Sequence, residues 1–231
     1  MKESAISVEA DRIRKVYAER EDERYGSAEP FRMQILHERQ ERLLRFFHDA
    51  GMASLKDLTI LEVGCGTGGN LRRLSDFGAD PQRCFGIDLF QKSLREAQYV
   101  NPNISFAEAN AAQLPFAANS FDLAFQFTVM TSVLDSQVRK EIVSEVRRVL
   151  RSGSYLVWYD FAYSNPRNPT VRGIGRSEIE DLLSGFRLQF SKITLAPPIG
   201  RPAARVSPML YRILTAIPLL RSHYFCFAQK I

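Results

Sequence analysis

Apolar positions along the chain change period once, near residue 58. Before it they recur at helical spacing: Ile13, Val16 and Tyr17 share one face, and Ile35, Leu36, Leu43, Leu44, Phe46 and Phe47 form a second series. Two helices are expected between Val8 and about Gly51. Gly51 is the expected stop, and Tyr25-Gly26-Ser27-Ala28-Glu29-Pro30 is expected to form a hinge or a turn between them, because it combines a flexible Gly with a Pro that suits a helix start. From residue 59 short apolar runs at 59–63, 84–87 and 104–107 alternate with helix-like segments at 71–77 and 94–99. Such alternation favours a parallel sheet covered by helices. A strand is expected at 123–127, then a helix from Ser136 to Leu150 capped by Asp135 or Ser136, a turn at Arg151-Ser152-Gly153, and a strand at 155–159. Ser177 and Glu180 have capping-box spacing and should open a helix running to about Leu183. Strand-like runs at 186–194 and 223–230 close the chain, separated by a Pro-punctuated insert with a helix-like run at 210–219.

Composition narrows this picture. With 231 residues, 45% of them hydrophobic, the chain can bury one core and is short for two, since domains usually take roughly 100–200 residues. No Gly/Ser/Pro-rich linker or repeat divides it. The charged N-terminal stretch lacks the apolar run of an export signal, and residues 209–220 are interrupted by Arg212 and Pro218 and fall short of the roughly 20 residues a membrane span needs. A soluble, cytoplasmic chain is therefore expected. Cys65, Cys84 and Cys226 form no CxxC or Cys/His cluster, so neither a metal site nor a disulfide framework is expected. The net charge of +5 suits RNA, an anionic membrane surface or an acidic small molecule equally.

The sharpest chemical signal is LEVGCGTGGN at residues 61–70, between a strand pattern and a helix pattern. Glycines let the backbone turn tightly and approach a ligand, and the following helix start offers unpaired N–H groups. Gly64, Gly66 and Gly69 also satisfy GxGxxG spacing, and Asp88 follows the next strand, 24 positions beyond Gly64, where it can hold ribose hydroxyls. The loop indicates a nucleoside ligand. It leaves open a nicotinamide dinucleotide.

An ordered series of motifs resembles the class I S-adenosylmethionine-dependent methyltransferases. After LEVGCGTGGN come GIDL ending at Leu89, ANAAQLPFAANSFDLAF at 109–125 and EVRRVLRSGSYLVWYD at 145–160, so the resemblance covers roughly residues 58–162. It implies an α/β, Rossmann-like three-layer sandwich with a seven-stranded, mostly parallel sheet and one antiparallel strand. Residues 1–57 would form a helical N-terminal cap, 58–162 the cofactor core, and 163–231 an acceptor-side loop, late insert and closing strands of one domain. The implied cofactor is S-adenosylmethionine. Glu62, Gly64, Cys65, Gly66 and Gly68 would line its methionine and ribose portion, and Asp88 would accept from the ribose hydroxyls. Leu89 would pack on adenine, Asn110 with Ala111 would meet the adenine edge, and Gln126 would sit near the methionyl amine. Asn110 stands where the family often has Asp, which keeps an acceptor oxygen but leaves its orientation less fixed. Each has a plainer reading: Asp88 as a helix cap, Asn110 as a turn former, Cys65 as packing.

Methyl transfer from a sulfonium needs alignment and exclusion of water more than a base. Asp160 and Tyr163 are the candidate bases, with His37 and His223 behind them. Residues 160–176 combine aromatics, prolines and three arginines, and Arg167 and Arg172 suit an anionic acceptor such as a phosphorylated saccharide. Tyr17 and Tyr25 suit a lid. The expected reaction is O-methylation of a small molecule or saccharide, with no nucleic acid partner. The alternatives are a nicotinamide oxidoreductase and a non-catalytic cofactor- or RNA-binding module.

Overall fold

The computed structural model describes residues 4–19 and 29–231. Two helices come first, α1 (Ala5–Ala18) and α2 (Pro30–Asp49). The alternating region then runs β1 (Ile60–Val63), α3 (Gly69–Asp76), β2 (Cys84–Asp88), α4 (Gln91–Val100), β3 (Ser105–Glu108), β4 (Phe121–Phe127), α5 (Ser136–Val149) and β5 (Leu150–Phe161). It closes with α6 (Arg176–Leu182), β6 (Phe186–Leu195), α7 (Pro197–Val206), α8 (Pro208–Thr215) and β7 (Arg221–Lys230). The strands form one seven-stranded sheet in the order β3-β2-β1-β4-β5-β7-β6. Neighbours from β3 to β5 are parallel, and β7 is antiparallel to both β5 and β6.

Period-2 alternation divides the sheet's side chains between two cores. Leu61, Val63, Leu156, Trp158, Cys226 and Ala228 face one side, where Ile13 of α1 and Val138, Ile142, Val143 and Val146 of α5 cover them. Ile60, Val157, Tyr159, Phe225 and Phe227 face the other, under Leu43, Phe46 and Phe47 of α2 and Leu71 and Leu74 of α3. Phe46 lies flat on Phe227, centroids 3.8 Å apart. A smaller cluster of Phe31, Leu195, Ala203, Ala204 and Tyr211 seats α7 and α8 on α2 and the end of β6.

Four local expectations need correction. Arg151, Ser152 and Gly153 are taken into β5 rather than forming a turn: the partner of Phe121 is Leu150 and that of Leu123 is Tyr155, so the intervening residues bulge, with Gly153 at φ +79°. The capping box of Ser177 and Glu180 does not form, because α6 begins at Arg176 after Gly175, and Glu180 pairs with Arg176 at 2.8 Å instead. The helical run expected at 210–219 is α8, which begins earlier and ends at Thr215. The prolines before it conceal α7, since Pro197 and Pro198 occupy its first turn, where a missing N–H costs nothing. Asp135 does cap α5, accepting from the N–H groups of Gln137 and Val138.

Phe46 is 5% exposed and stacked, so Phe46→Ala should cost about 3–5 kcal/mol in urea unfolding, well beyond a surface substitution.

Candidate cofactor site

The loop after β1 owes its shape to the strand beside it. Gly64 and Cys65 both donate their N–H to the carbonyl of Ile87, at 2.8 and 3.0 Å. Gly66 donates to Asp88 Oδ2 at 2.8 Å. Gly64, Gly66 and Gly68 all have positive φ, 69°, 53° and 73°, a region that strains residues with a Cβ. At Gly64 a Cβ would also meet Val129 Cγ2 at 2.4 Å. Asp88 accepts from Phe90 N–H through its other oxygen, at 3.1 Å, so it fixes the turn leading into α4 as well as bracing the loop. Burial pushes its carboxyl above the ordinary range.

These groups line a cavity of about 720 Å³ at the carboxyl ends of β1, β2 and β4, within the roughly 300–1,000 Å³ of ligand pockets. Gly64, Gly66, Asp88 and Leu89 line it, together with Phe90, Phe127, Thr128, Val129, Ser132 and Val133. Helix α1 supplies Ile13, Arg14 and Tyr17 as the opposite wall. Tyr17 lies 5.0 Å from the Phe90 ring and shares a 2.9 Å hydrogen bond with Ser132 Oγ. Arg14 reaches Glu108 at the end of β3 at 3.7 Å. Glu9 pairs with Arg12 at 2.8 Å and accepts from the N–H of Leu134, while Arg12 donates to the Ser132 carbonyl. Burial pushes the Glu9 carboxyl up, but Arg12 and the N–H groups of Leu134 and Asp135 outweigh it and hold the group below its ordinary value. Helix α1 is thus a strap tied at both ends across the cavity. Tyr25, the other residue expected in a lid, lies outside the described residues.

Other expected site residues stand outside this lining. Cys65 is buried behind the loop against Gly86, and burial pushes its thiol up. Gly68 packs against Phe106 and Asn101. Asn110 spends its oxygen on the Ala112 N–H at 2.9 Å, the turn-forming reading, with Ala111 inside that turn. Gln126 is fully buried, and neither end of its amide has a hydrogen-bond partner. Glu62 accepts from Asn70 Nδ2 at 2.6 Å, while its Oε2 is buried and unpartnered. Burial pushes the Glu62 carboxyl up to about 7. Arg39 of α2 completes that side: its guanidinium lies over Phe127 and Tyr159 and donates to Asn70 Oδ1 at 3.3 Å.

The candidate bases are engaged elsewhere. Asp160 is 1% exposed and accepts from Met130 N–H and the Thr131 hydroxyl, tying the end of β5 to the turn after β4. Burial pushes it up to about 7. Tyr163 is exposed and packed by the Lys192 ammonium. His223 is buried, stacked on Tyr159 at 4.7 Å, and burial pushes it down to about 3. His37 borders a separate groove between α2 and α8. Arg172 is committed to Glu178, which also holds the buried Arg139, whereas Arg167 is exposed.

Glycines with left-handed backbone, a carboxylate beside them, and an apolar wall of Leu89, Phe90 and Tyr17 fit the amino-acid, ribose and adenine parts of a nucleoside-linked amino acid. The sequence profile of a methyltransferase domain matches residues 61–158. The O-methyltransferase resE of Aspergillus sclerotiorum is 31% identical over 183 residues, 70% of this chain and 66% of that protein. This chain belongs to the class I S-adenosylmethionine-dependent methyltransferases. Their cofactor is S-adenosylmethionine. Squalene methyltransferase 2 of Botryococcus braunii is 26% identical over 188 residues, 68% of this chain, and the chain spans 48% of that protein's length. The fold is shared with geranyl diphosphate C-methyltransferase from Streptomyces coelicolor A3(2), with TM-score 0.67, 14% identity, and 96% and 98% of the two chains covered.

Phe90, Thr128 and Val129 line the cavity and were not legible in the sequence as candidates. Thr128 carries φ 58° without being glycine, held by its N–H on the Tyr159 carbonyl at 2.7 Å. Glu9 and Arg12 belong to the charged N-terminal stretch, and no motif singles them out.

Gly64→Ala should destabilise the protein by at least about 1–2 kcal/mol from backbone conformation alone. Val129→Ala in the same chain should recover the steric part, as measured by urea unfolding. The Glu9 carboxyl is held below its ordinary value, so its contribution is present above that value and lost as pH falls through the lowered one. The protection factors of the Leu134 and Asp135 amides should therefore fall as the pH drops through the acid range beneath the ordinary carboxylate value. Glu9→Gln should show quickened exchange already at neutral pH and no acid step.

Proposed function

We propose that this methyltransferase transfers the methyl group of S-adenosylmethionine to a small-molecule acceptor, at a hydroxyl oxygen, leaving S-adenosylhomocysteine. The observation that carries the reading is the convergence of the glycine loop, Asp88 and the α1 strap on one cavity. The bound cofactor supplies a methyl group already activated on a sulfonium. The protein's task is then alignment and exclusion of water, which asks for no dedicated base. Gly64 and Gly66 offer backbone to the methionine and ribose portion, Asp88 accepts from the ribose hydroxyls, Leu89 and Phe90 flank the adenine, and Tyr17 closes over it. The buried, unpartnered oxygen of Glu62 lies behind the loop and supports an adjoining cationic group.

Oxygen as the methylated atom draws support from the O-methyltransferase relative. A phosphorylated saccharide acceptor now draws support from Arg167 alone, since Arg172 is paired with Glu178. A second acceptor class, an apolar isoprenoid, is favoured by Phe127, Val129 and Val133 in the cavity wall and by the squalene methyltransferase relative. The oxidoreductase reading fits the sheet poorly: dinucleotide folds run in the order 3-2-1-4-5-6, whereas here an antiparallel β7 is inserted between β5 and β6.

S-adenosylhomocysteine should raise the melting temperature while NAD and NADP leave it unchanged. Asp88→Ala should weaken that binding by about ten- to a hundredfold, the loss of hydrogen bonds to a charged acceptor. Labelled methyl transfer to phenolic, saccharide and prenyl acceptors then tests the acceptor. Binding without turnover on any of them would favour a non-catalytic module, and a shift with a dinucleotide alone would overturn the proposal.

A further inference from the structure

Between β6 and β7, α7, α8 and the turn after them expose Val206 (74%), Met209 (71%), Ile213 (56%), Ile217 (44%) and Leu219 (89%). These are half-formed anchors only if the scaffold beneath them is fixed, and it is. Ala203, Ala204 and Tyr211 pack on Phe31 and Leu195. Gly200 lets Phe31 approach so closely that a Cβ there would stand 2.2 Å from its ring. Arg221 clasps the base, donating to the carbonyls of Thr215, Ala216 and Lys192. On α8, Met209 and Ile213 are one turn apart and exposed while Tyr211 is buried.

Charge coincides with this apolar surface. Residues 196–220, between β6 and β7, contain three Arg and no Lys, Asp or Glu. Arg201, Arg205 and Arg212 are exposed on the insert, and among the described residues none has an ion-pair partner. β6 runs parallel to β1–β5, so an insert following it leaves the sheet at the same carboxyl edge as the cofactor cavity.

We propose that this insert docks the protein on an anionic lipid bilayer, the aliphatic side chains entering the headgroup boundary and the three arginines meeting lipid phosphates. The occupant follows from the pairing of aliphatic and cationic groups. Nucleic acid would use the arginines but has no place for Met209, Ile213 and Leu219. A second copy meeting this face with the same face would set arginine against arginine, with no carboxylate in residues 182–231 to relieve it. The inference holds whichever acceptor the enzyme uses.

Flotation of the full chain with vesicles tests it, comparing phosphatidylcholine alone with phosphatidylcholine containing about 30% phosphatidylglycerol. The protein should float with the anionic vesicles. Arg205→Gln and Arg212→Gln should each weaken binding about fivefold. Met209→Ser with Ile213→Ser and Leu219→Ser should weaken it at least about tenfold. Thermal unfolding and S-adenosylhomocysteine binding should be unchanged in all of them, because the altered side chains are exposed. Absence of binding at physiological salt would overturn the proposal, as would binding indifferent to the serine variants. So would sedimentation showing a dimer that the serine variants dissolve, or oligonucleotide binding that they leave intact.

Discussion

One carbonyl, that of Ile87, accepts two consecutive N–H groups from the glycine loop, and the rest of the candidate cofactor site is built outward from that pair of bonds. They bind the end of β1 to the end of β2, so the loop has nowhere to go but over the sheet's carboxyl edge. Three residues there adopt left-handed backbone, which glycine takes without the strain a Cβ brings. Asp88 then fixes Gly66 through one oxygen and the turn leading into α4 through the other. A single carboxylate therefore sets both the floor and one rim of the cavity. Gly86 is part of the same arrangement, since a Cβ there would stand 2.7 Å from Phe106 and 2.8 Å from the Cys65 sulfur.

The opposite wall depends on polar groups taken out of water. Glu9 is 6% exposed and gathers a guanidinium and two backbone N–H groups, so removing it would strand those donors. Asp160 does similar work one strand further on, holding the turn at 130–131. Between these two braces Thr128 keeps a left-handed backbone that only its bond to Tyr159 and its neighbours sustain. Strain of that kind is carried at sites where position matters more than local comfort.

The same chain uses charge in two ways. Around the cavity it is paired at short range, in Arg12 with Glu9, Arg14 with Glu108 and, nearby, Arg139 and Arg172 with Glu178. Such pairs orient helices and loops and leave little field outside. Past residue 181 the chain has no acidic residue, and the exposed Arg201, Arg205 and Arg212 of the insert have no ion-pair partner among the described residues. One region lines a cavity of ligand size, and the other carries the exposed arginines of the proposed docking face.

The alternation of apolar runs specified the strands and the helices between them, and Gly64, Gly66 and Asp88 were legible as candidate ligand contacts that the fold brings to one cavity. Those features depend on backbone preferences and on near neighbours, which a sequence states directly: Gly51 ends α2, Asp135 caps α5, and alternate residues face opposite cores. The prolines of α7 misled because Pro marks a helix start as readily as a break. What only the tertiary structure decided was the partner of each polar side chain. Arg12 meets Ser132 from 120 positions away and Glu9 meets Leu134 from 125, so charges that no motif singles out became the strap. Gln126 went into the core with its amide unpartnered, while Asp160 bonds to the turn after β4 and Arg172 to Glu178, because a polar side chain can bond only to what the packed sheet and helices bring within about 3 Å, and no local pattern encodes that proximity.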